Sequence, residues 1–207
     1  MNERASSSLP TAVAPSTLQW DENGYILLPA VLSSRRAREL RHICADLQDS
    51  RQTDSTVSLT ANAAQRHPMI AALVDLPETL RLVVSVLGPF VHVLASEIWV
   101  RKPGAKSLGW HRDGGPLMRH LQQIVQVKVQ FFLTSTDHRV DSANLVLLPG
   151  SHKMELPQGG ISEAELRGAK TMRSNSGDSV IWAGNTWHSV RPNAHRFSRV
   201  SVTSVRL

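Results

Sequence analysis

The sequence predicts a mainly β domain: a two-sheet barrel with helices packed on one side. Three observations predict it. Helical periodicity is confined to the chain ahead of Gly88. From Val91 onward come VHVLASEIWV, VQVKVQFFLT, NLVLLP, SVIWAG and SRVSVTSV, β-branched or aromatic runs separated by Gly, Pro, Asp and Asn. Several of these runs alternate with period two, as half-buried antiparallel strands do. Helices first and short strands after them give a β architecture with helices on one flank. The 207 residues suit one domain with a sizeable core, and neither an internal repeat nor a second domain is visible.

In order along the chain, residues 1–17 are rich in Ser, Ala, Pro and Thr and read as a flexible arm ahead of a single domain spanning 18–207. DENGYILLPAVLS then predicts a turn at Asn23-Gly24, a short strand from Tyr25 to Leu28, and a helix N-cap at Ser33 or Ser34. Ala37, Leu40, Ile43, Cys44 and Leu47 recur at helical spacing. A polar link over residues 48–58 leads to more helix. Pro68 and Pro77 each suit a first helical position, and Gly88-Pro89 ends the second of these helices.

Composition narrows the function classes. A hydrophobic fraction of 41% and a charged fraction of 19% fit a soluble enzyme or binding domain, and no run reaches the roughly 18 apolar residues of a membrane helix. The N-terminus lacks an apolar signal-peptide core, and the single cysteine, Cys44, excludes an intrachain disulfide. Cytoplasm is the expected compartment. The net charge is +6 with a pI near 10.2, yet the basic residues are spread along the chain and no aromatic-interleaved basic stripe appears. Neither nucleic acid nor a membrane is expected as partner; a small anionic substrate accounts for the charge equally well.

The stretch GWHRDGGP, residues 109–116, places His111 and Asp113 two apart. Side chains at that spacing share one strand face and can converge on a point from the strand's end. Alone, an HxD is most simply a solvated strand end. A second polar cluster, GNTWHSVRPNAHRFSRVSV, brings His188 into play 77 positions after His111. Two imidazoles and one carboxylate can hold Fe(II) on one side, leaving three positions for substrate and oxygen. Zinc suits the same ligand types, although a zinc hydrolase of this set generally adds a placed general base, and none is evident.

WHRD, VKVQFFLT, ANLVLLPGSH, GDSVIWAG, and His188 followed eleven residues later by Arg199 together resemble the phytanoyl-CoA dioxygenase family, non-haem iron, 2-oxoglutarate-dependent oxygenases. The likeness runs from about Asp21 to the C-terminus. It implies a double-stranded β-helix of the jelly-roll or cupin kind. It also implies Fe(II) held by His111, Asp113 and His188, O2 and 2-oxoglutarate as co-substrates, and Arg199 on the distal carboxylate of 2-oxoglutarate. A guanidinium suits that task because its planar fork meets a carboxylate at two points and stays charged when buried. By period two, Arg199, Ser201, Thr203 and Val205 share one strand face. Gln130 falls where relatives place a side chain beside the co-substrate; Lys128 shares its face.

Two departures stand out. Where the family often has a small hydroxyl residue two positions after the distal histidine, this chain has Val190, with Ser189 one place early. The chain is also short for the family, which leaves the pocket open or completed by another subunit of a homo- or hetero-oligomer. The expected activity is hydroxylation, desaturation or ring closure of a small metabolite, in secondary-metabolite biosynthesis, with release of succinate and CO2. Asp113 argues against halogenation, since chloride would need its coordination position. A nucleic-acid dealkylating dioxygenase carries an arginine pair around a strand, but Arg199 and Arg206 are seven apart and so on opposite faces. A cupin-like binding module that completes a partner's site would show a degraded triad. His152 reads as a structural loop residue, and His120, His138 and His195 as solvated. Trp110 and Trp187 read as core or pocket wall, and Trp99 and Trp182 as barrel core.

Overall fold

The computed structural model describes residues 14–48, 52–54, 56–113, 126–154 and 161–207. The apolar stripe beginning at Ala37 folds as α2 (Ser34–Asp46), capped by the Ser33 hydroxyl accepting from the Arg36 N–H at 3.2 Å. Ahead of it lie α1 (Ala14–Asn23) and β1 (Tyr25–Leu28); after it come β2 (Gln52–Asp54), β3 (Val57–Ala61), α3 (Ala63–Arg66), α4 (Pro68–Ala71) and α5 (Pro77–Leu87). Both prolines occupy first helical positions as their fixed φ favours, and Gly88 ends α5 at a φ of 89°. The β-rich half supplies β4 (Val93–Arg101), β5 (Leu108–His111), β6 (Val127–Phe132), β7 (Leu145–Leu147), α6 (Glu163–Leu166), β8 (Lys170–Thr171), β9 (Ser179–Ala183), β10 (His188–Val190) and β11 (Arg199–Arg206).

The strands form two antiparallel sheets, one of seven in the order β1-β9-β6-β11-β4-β3-β2 and one of four in the order β5-β10-β7-β8. This is the jelly-roll arrangement. Alternation divides the large sheet by chemistry. On one face Ile98, Val100, Val129, Phe131, Ile181 and Val202 pack with Leu40, Cys44, Ile70 and Val83 of the helices into the main core. Burial pushes the Cys44 thiol up to about 12, so it is an inert packing group. The other face carries Glu97, Trp99, Lys128, Gln130, Arg199, Ser201 and Thr203 around a cavity. Beside that cavity Phe132, Val180, Trp182, Leu145, Leu147 and Met172 form a second core.

Three expectations change. The arm expected over 1–17 overlaps α1, which begins at Ala14 and buries Trp20; residues 1–13 lie outside the described residues. The polar link over 48–58 contains β2 and the start of β3, since β3 pairs with both β2 and β4, and Ser58 is buried there. Trp99 is only half-buried and, like Trp182, borders the cavity.

Candidate active site

β5 and β10 pair so that His111 stands directly opposite His188. Asp113 follows β5, its N–H donating to the Gly184 carbonyl at 2.8 Å. Ligand atoms of His111, Asp113 and His188 all lie within 4.8 Å of one another. His188 Nε2 is 3.3 Å from Asp113 Oδ2, and the two imidazole centroids are 4.1 Å apart. The sequence-predicted triad is thus brought together.

Each histidine is oriented from behind. His111 Nδ1 donates to the Gly109 carbonyl and His188 Nδ1 to the Thr186 carbonyl, both at 2.9 Å. Carbonyls only accept, so both Nδ1 atoms carry the proton and both Nε2 lone pairs are left for a ligand. Burial pushes His188 down to about 4, against the opposing pull of Asp113, so it is neutral near pH 7, the form a metal requires. Asp113 uses its oxygens differently: Oδ1 accepts from Lys128 Nζ at 2.8 Å, while Oδ2 is buried without a hydrogen-bond partner. A buried, unpartnered carboxylate oxygen beside two imidazole lone pairs fits a divalent cation.

The residue between the ligands, Arg112, pins the segment by donating to the carbonyls of Asn185, Met154 and Ser151. His152 is buried in the loop these bonds fix, outside the triad, as expected of a structural residue. His138 is exposed; His195 is half-buried, with Nε2 3.4 Å from Asp137 Oδ2, so it is less free than expected. Trp187 is buried and Trp110 half-buried. His120 lies outside the described residues.

Arg199 sits on the cavity face of β11, 5% exposed. It donates to the hydroxyls of Thr134 and Ser174 and lies 4.4 Å from the Phe132 ring centroid. Burial lowers its pKa, with Asp178 opposing. Among the described residues no carboxylate oxygen lies within 4.0 Å of it, so a buried cation awaits an anion. Gln130 also faces the cavity, its amide donating to Ser201 Oγ at 2.7 Å. Val190 lines the cavity, and Ser189 turns away, its hydroxyl donating to the Leu108 carbonyl at 2.6 Å.

Sequence reasoning missed three groups, Arg112, Thr134 and Ser174, and the role of a fourth, Lys128, which it placed only on the face of Gln130. Lys128 holds Asp113, a pairing that residue spacing does not encode. Arg112 is masked by its position inside the motif. Thr134 was visible by period two from Phe132 and Gln130, whereas Ser174 follows β8 in an irregular segment with no pattern to betray it. The cavity measures about 280 Å³. A cleft of about 770 Å³ also has Arg199 in its lining and touches none of the triad.

The Phytanoyl-CoA dioxygenase (PhyH) family model matches residues 20–201. The chain belongs to the phytanoyl-CoA dioxygenase family. With it come the family's activity and cofactors: an iron- and 2-oxoglutarate-dependent oxygenase using O2. No curated protein sequence matches the chain. Solved structures match in fold. The epimerase SnoN in complex with Fe3+, alpha ketoglutarate and nogalamycin RO superposes with a TM-score of 0.82 at 17% identity, over 96% of this chain and 84% of that one. HygX from Streptomyces hygroscopicus with nickel, 2-oxoglutarate and hygromycin B gives 0.77 at 16%, over 93% and 86%. EctD from S. alaskensis gives 0.78 at 18%, over 97% and 79%. Among the described residues of this family member, no helix is long and apolar enough to cross a membrane.

Proposed function

We propose that His111, Asp113 and His188 hold iron(II), that Arg199 receives the distal carboxylate of 2-oxoglutarate with Gln130 alongside, and that the enzyme oxidises a small metabolite in the cytoplasm. The unpartnered, buried Asp113 Oδ2 facing the His188 imidazole carries this reading. Once bound, iron(II), 2-oxoglutarate and O2 supply the oxidant that removes a substrate hydrogen, with release of succinate and CO2. The chain contributes position. Two carbonyl-oriented imidazoles and one carboxylate fix the metal's place, Arg199 fixes the far end of the co-substrate, and Trp99, Trp182 and Leu145 border the space left for the substrate.

Hydroxylation, desaturation and ring closure all follow from hydrogen removal. The fold neighbours include a monooxygenase and a carbocyclase, in keeping with hydroxylation and ring closure, and an epimerase. Their ligands, nogalamycin RO and hygromycin B, support a natural-product substrate here. Nucleic-acid dealkylation is disfavoured: Arg206 lies on the opposite face of β11 from Arg199, buried with the Ser204 hydroxyl. The test is anaerobic titration with Fe(II) and 2-oxoglutarate. A weak visible charge-transfer band saturating at about one iron per chain is expected; its absence with correctly folded protein overturns the assignment.

A further inference from the structure

Four charged side chains stand on the cavity face of the large sheet: Glu97 and Arg101 on β4, Lys128 on β6 and Arg199 on β11. Three are committed. Lys128 holds Asp113 Oδ1 at 2.8 Å, and Arg101 donates to the Lys106 carbonyl at 2.6 Å. Arg199 belongs to the dicarboxylate in the reading above, on which this inference rests. Glu97 is different. Its Oε2 accepts from the Trp99 indole N–H at 2.9 Å, and among the described residues no cationic group lies within 4.0 Å of its carboxylate. A half-buried carboxylate met by one indole keeps most of its acceptor capacity, and here that capacity borders the cavity.

The strand register extends the pattern. Thr203 lies directly beside Glu97, and Gln130 directly beside Thr203. Gln130 uses its amide N–H on Ser201, which leaves its carbonyl oxygen as an acceptor. Glu97, Thr203 and Gln130 therefore form a row of oxygen atoms, with the Trp99 ring at its edge. A ligand suited to that row is rich in donors and carries positive charge.

We propose that this row is the substrate-recognition site, and that the substrate bears a protonated amine seated at Glu97. An ammonium brings three donors and no acceptor. Its hydrogen bond to a carboxylate is roughly twice as strong as a neutral one, and the Trp99 indole bordering the row suits a cation better than an anion. The arrangement also sorts the two ligands. Arg199 and Thr203 are four residues apart on β11, about 13 Å along the strand. The dicarboxylate is drawn to the arginine end and repelled from the glutamate end, while an amine obeys the opposite preference.

The test uses protein loaded with Ni(II) and 2-oxoglutarate and a trio of probes sharing one ring: cyclohexylammonium, cyclohexanol and cyclohexanecarboxylate. Calorimetric titration should show the amine binding at least tenfold more tightly than the alcohol and the carboxylate binding least. Glu97→Gln should abolish the preference for the amine, and Glu97→Lys should reverse it toward the carboxylate. Uptake of Ni(II) and 2-oxoglutarate, measured first, reports folding and tests the metal reading separately. If loading fails, that reading falls, and the trio is run on metal-free protein. A wild-type protein with no preference for the amine, including one that binds none of the three, overturns the Glu97 assignment. So does a preference that survives in Glu97→Gln.

Discussion

Asp113 leaves one oxygen unpartnered in a buried setting, so removing it or either imidazole should act on metal binding before anything else. Alanine at His111, Asp113 or His188 should abolish both iron uptake and 2-oxoglutarate turnover while the far-ultraviolet dichroism stays native; wild-type iron content in all three variants would refute the ligand set. Arg199 should act on the co-substrate alone. Stranding a partner of a buried charge-assisted pair costs about 3–5 kcal/mol, so Arg199→Ala should weaken 2-oxoglutarate binding by about two orders of magnitude or more. Arg199→Lys should rescue it only partly, since an ammonium lacks the fork, and iron content should change little; parallel affinity and stoichiometry measurements decide. His188 adds a pH dependence. Its value of about 4 in the folded, metal-free protein lies below the roughly 6.5 of an unfolded chain. The unfolded state therefore binds the extra proton as pH falls, and the stability present above about 6.5 is lost toward 4. The loss is of order 3 kcal/mol, and urea unfolding of metal-free protein at pH 7 and pH 4.5 should show it, with a smaller loss in His188→Gln.

Among elements, β11 was the most legible. Strict alternation put Arg199, Ser201 and Thr203 on one face and Val200 and Val202 on the other, and the structure places the first set at the cavity and the second in the core. β3 was illegible for the converse reason: Ser58 and Thr60 are polar in sequence yet buried where β3 pairs with β4, and the Thr60 hydroxyl finds its acceptor in the distant Leu47 carbonyl. α1 hid inside an Ala, Ser and Pro-rich stretch whose composition resembles linker; Trp20 was the residue that could have betrayed it. The Asn23-Gly24 turn was readable, and its importance is larger than a turn's. Gly24 has a φ of 73°, and a Cβ there would lie 2.4 Å from His152 Nδ1 and 2.7 Å from Thr186 Oγ1. Its carbonyl also accepts from the Ala183 N–H and the Thr186 hydroxyl. Gly24→Ala should thus destabilise the fold by about 1–3 kcal/mol, read as a lower urea midpoint, and should weaken metal uptake, because the Thr186 carbonyl orients His188.

At the scale of the whole molecule, the site ties the two sheets together. His111 and His188 come from the small sheet, while Lys128 and Arg199 come from the large one. Ligands that engage both should raise the stability of the entire fold: at a hundredfold excess over its Kd, one ligand adds about 2.7 kcal/mol, or about 5–10 °C in a domain of this size. Thermal unfolding with Mn(II) alone, and then with 2-oxoglutarate added, should rise in two steps, the second absent in Arg199→Ala. The cavity's glutamate was the least legible feature, since SEIWV reads as an ordinary alternating strand until the register fixes which side faces inward.

If Asp113 ligates the metal as proposed, its bond to Lys128 through Oδ1 should act as a sieve for ions. One oxygen of the carboxylate is occupied before any ion arrives, so an incomer is offered a single oxygen and two nitrogens. Calcium favours oxygen-rich shells and commonly takes both oxygens of a carboxylate, whereas first-row transition ions are content with imidazole. Millimolar calcium should leave iron uptake unaffected in the wild type and begin to compete in Lys128→Met.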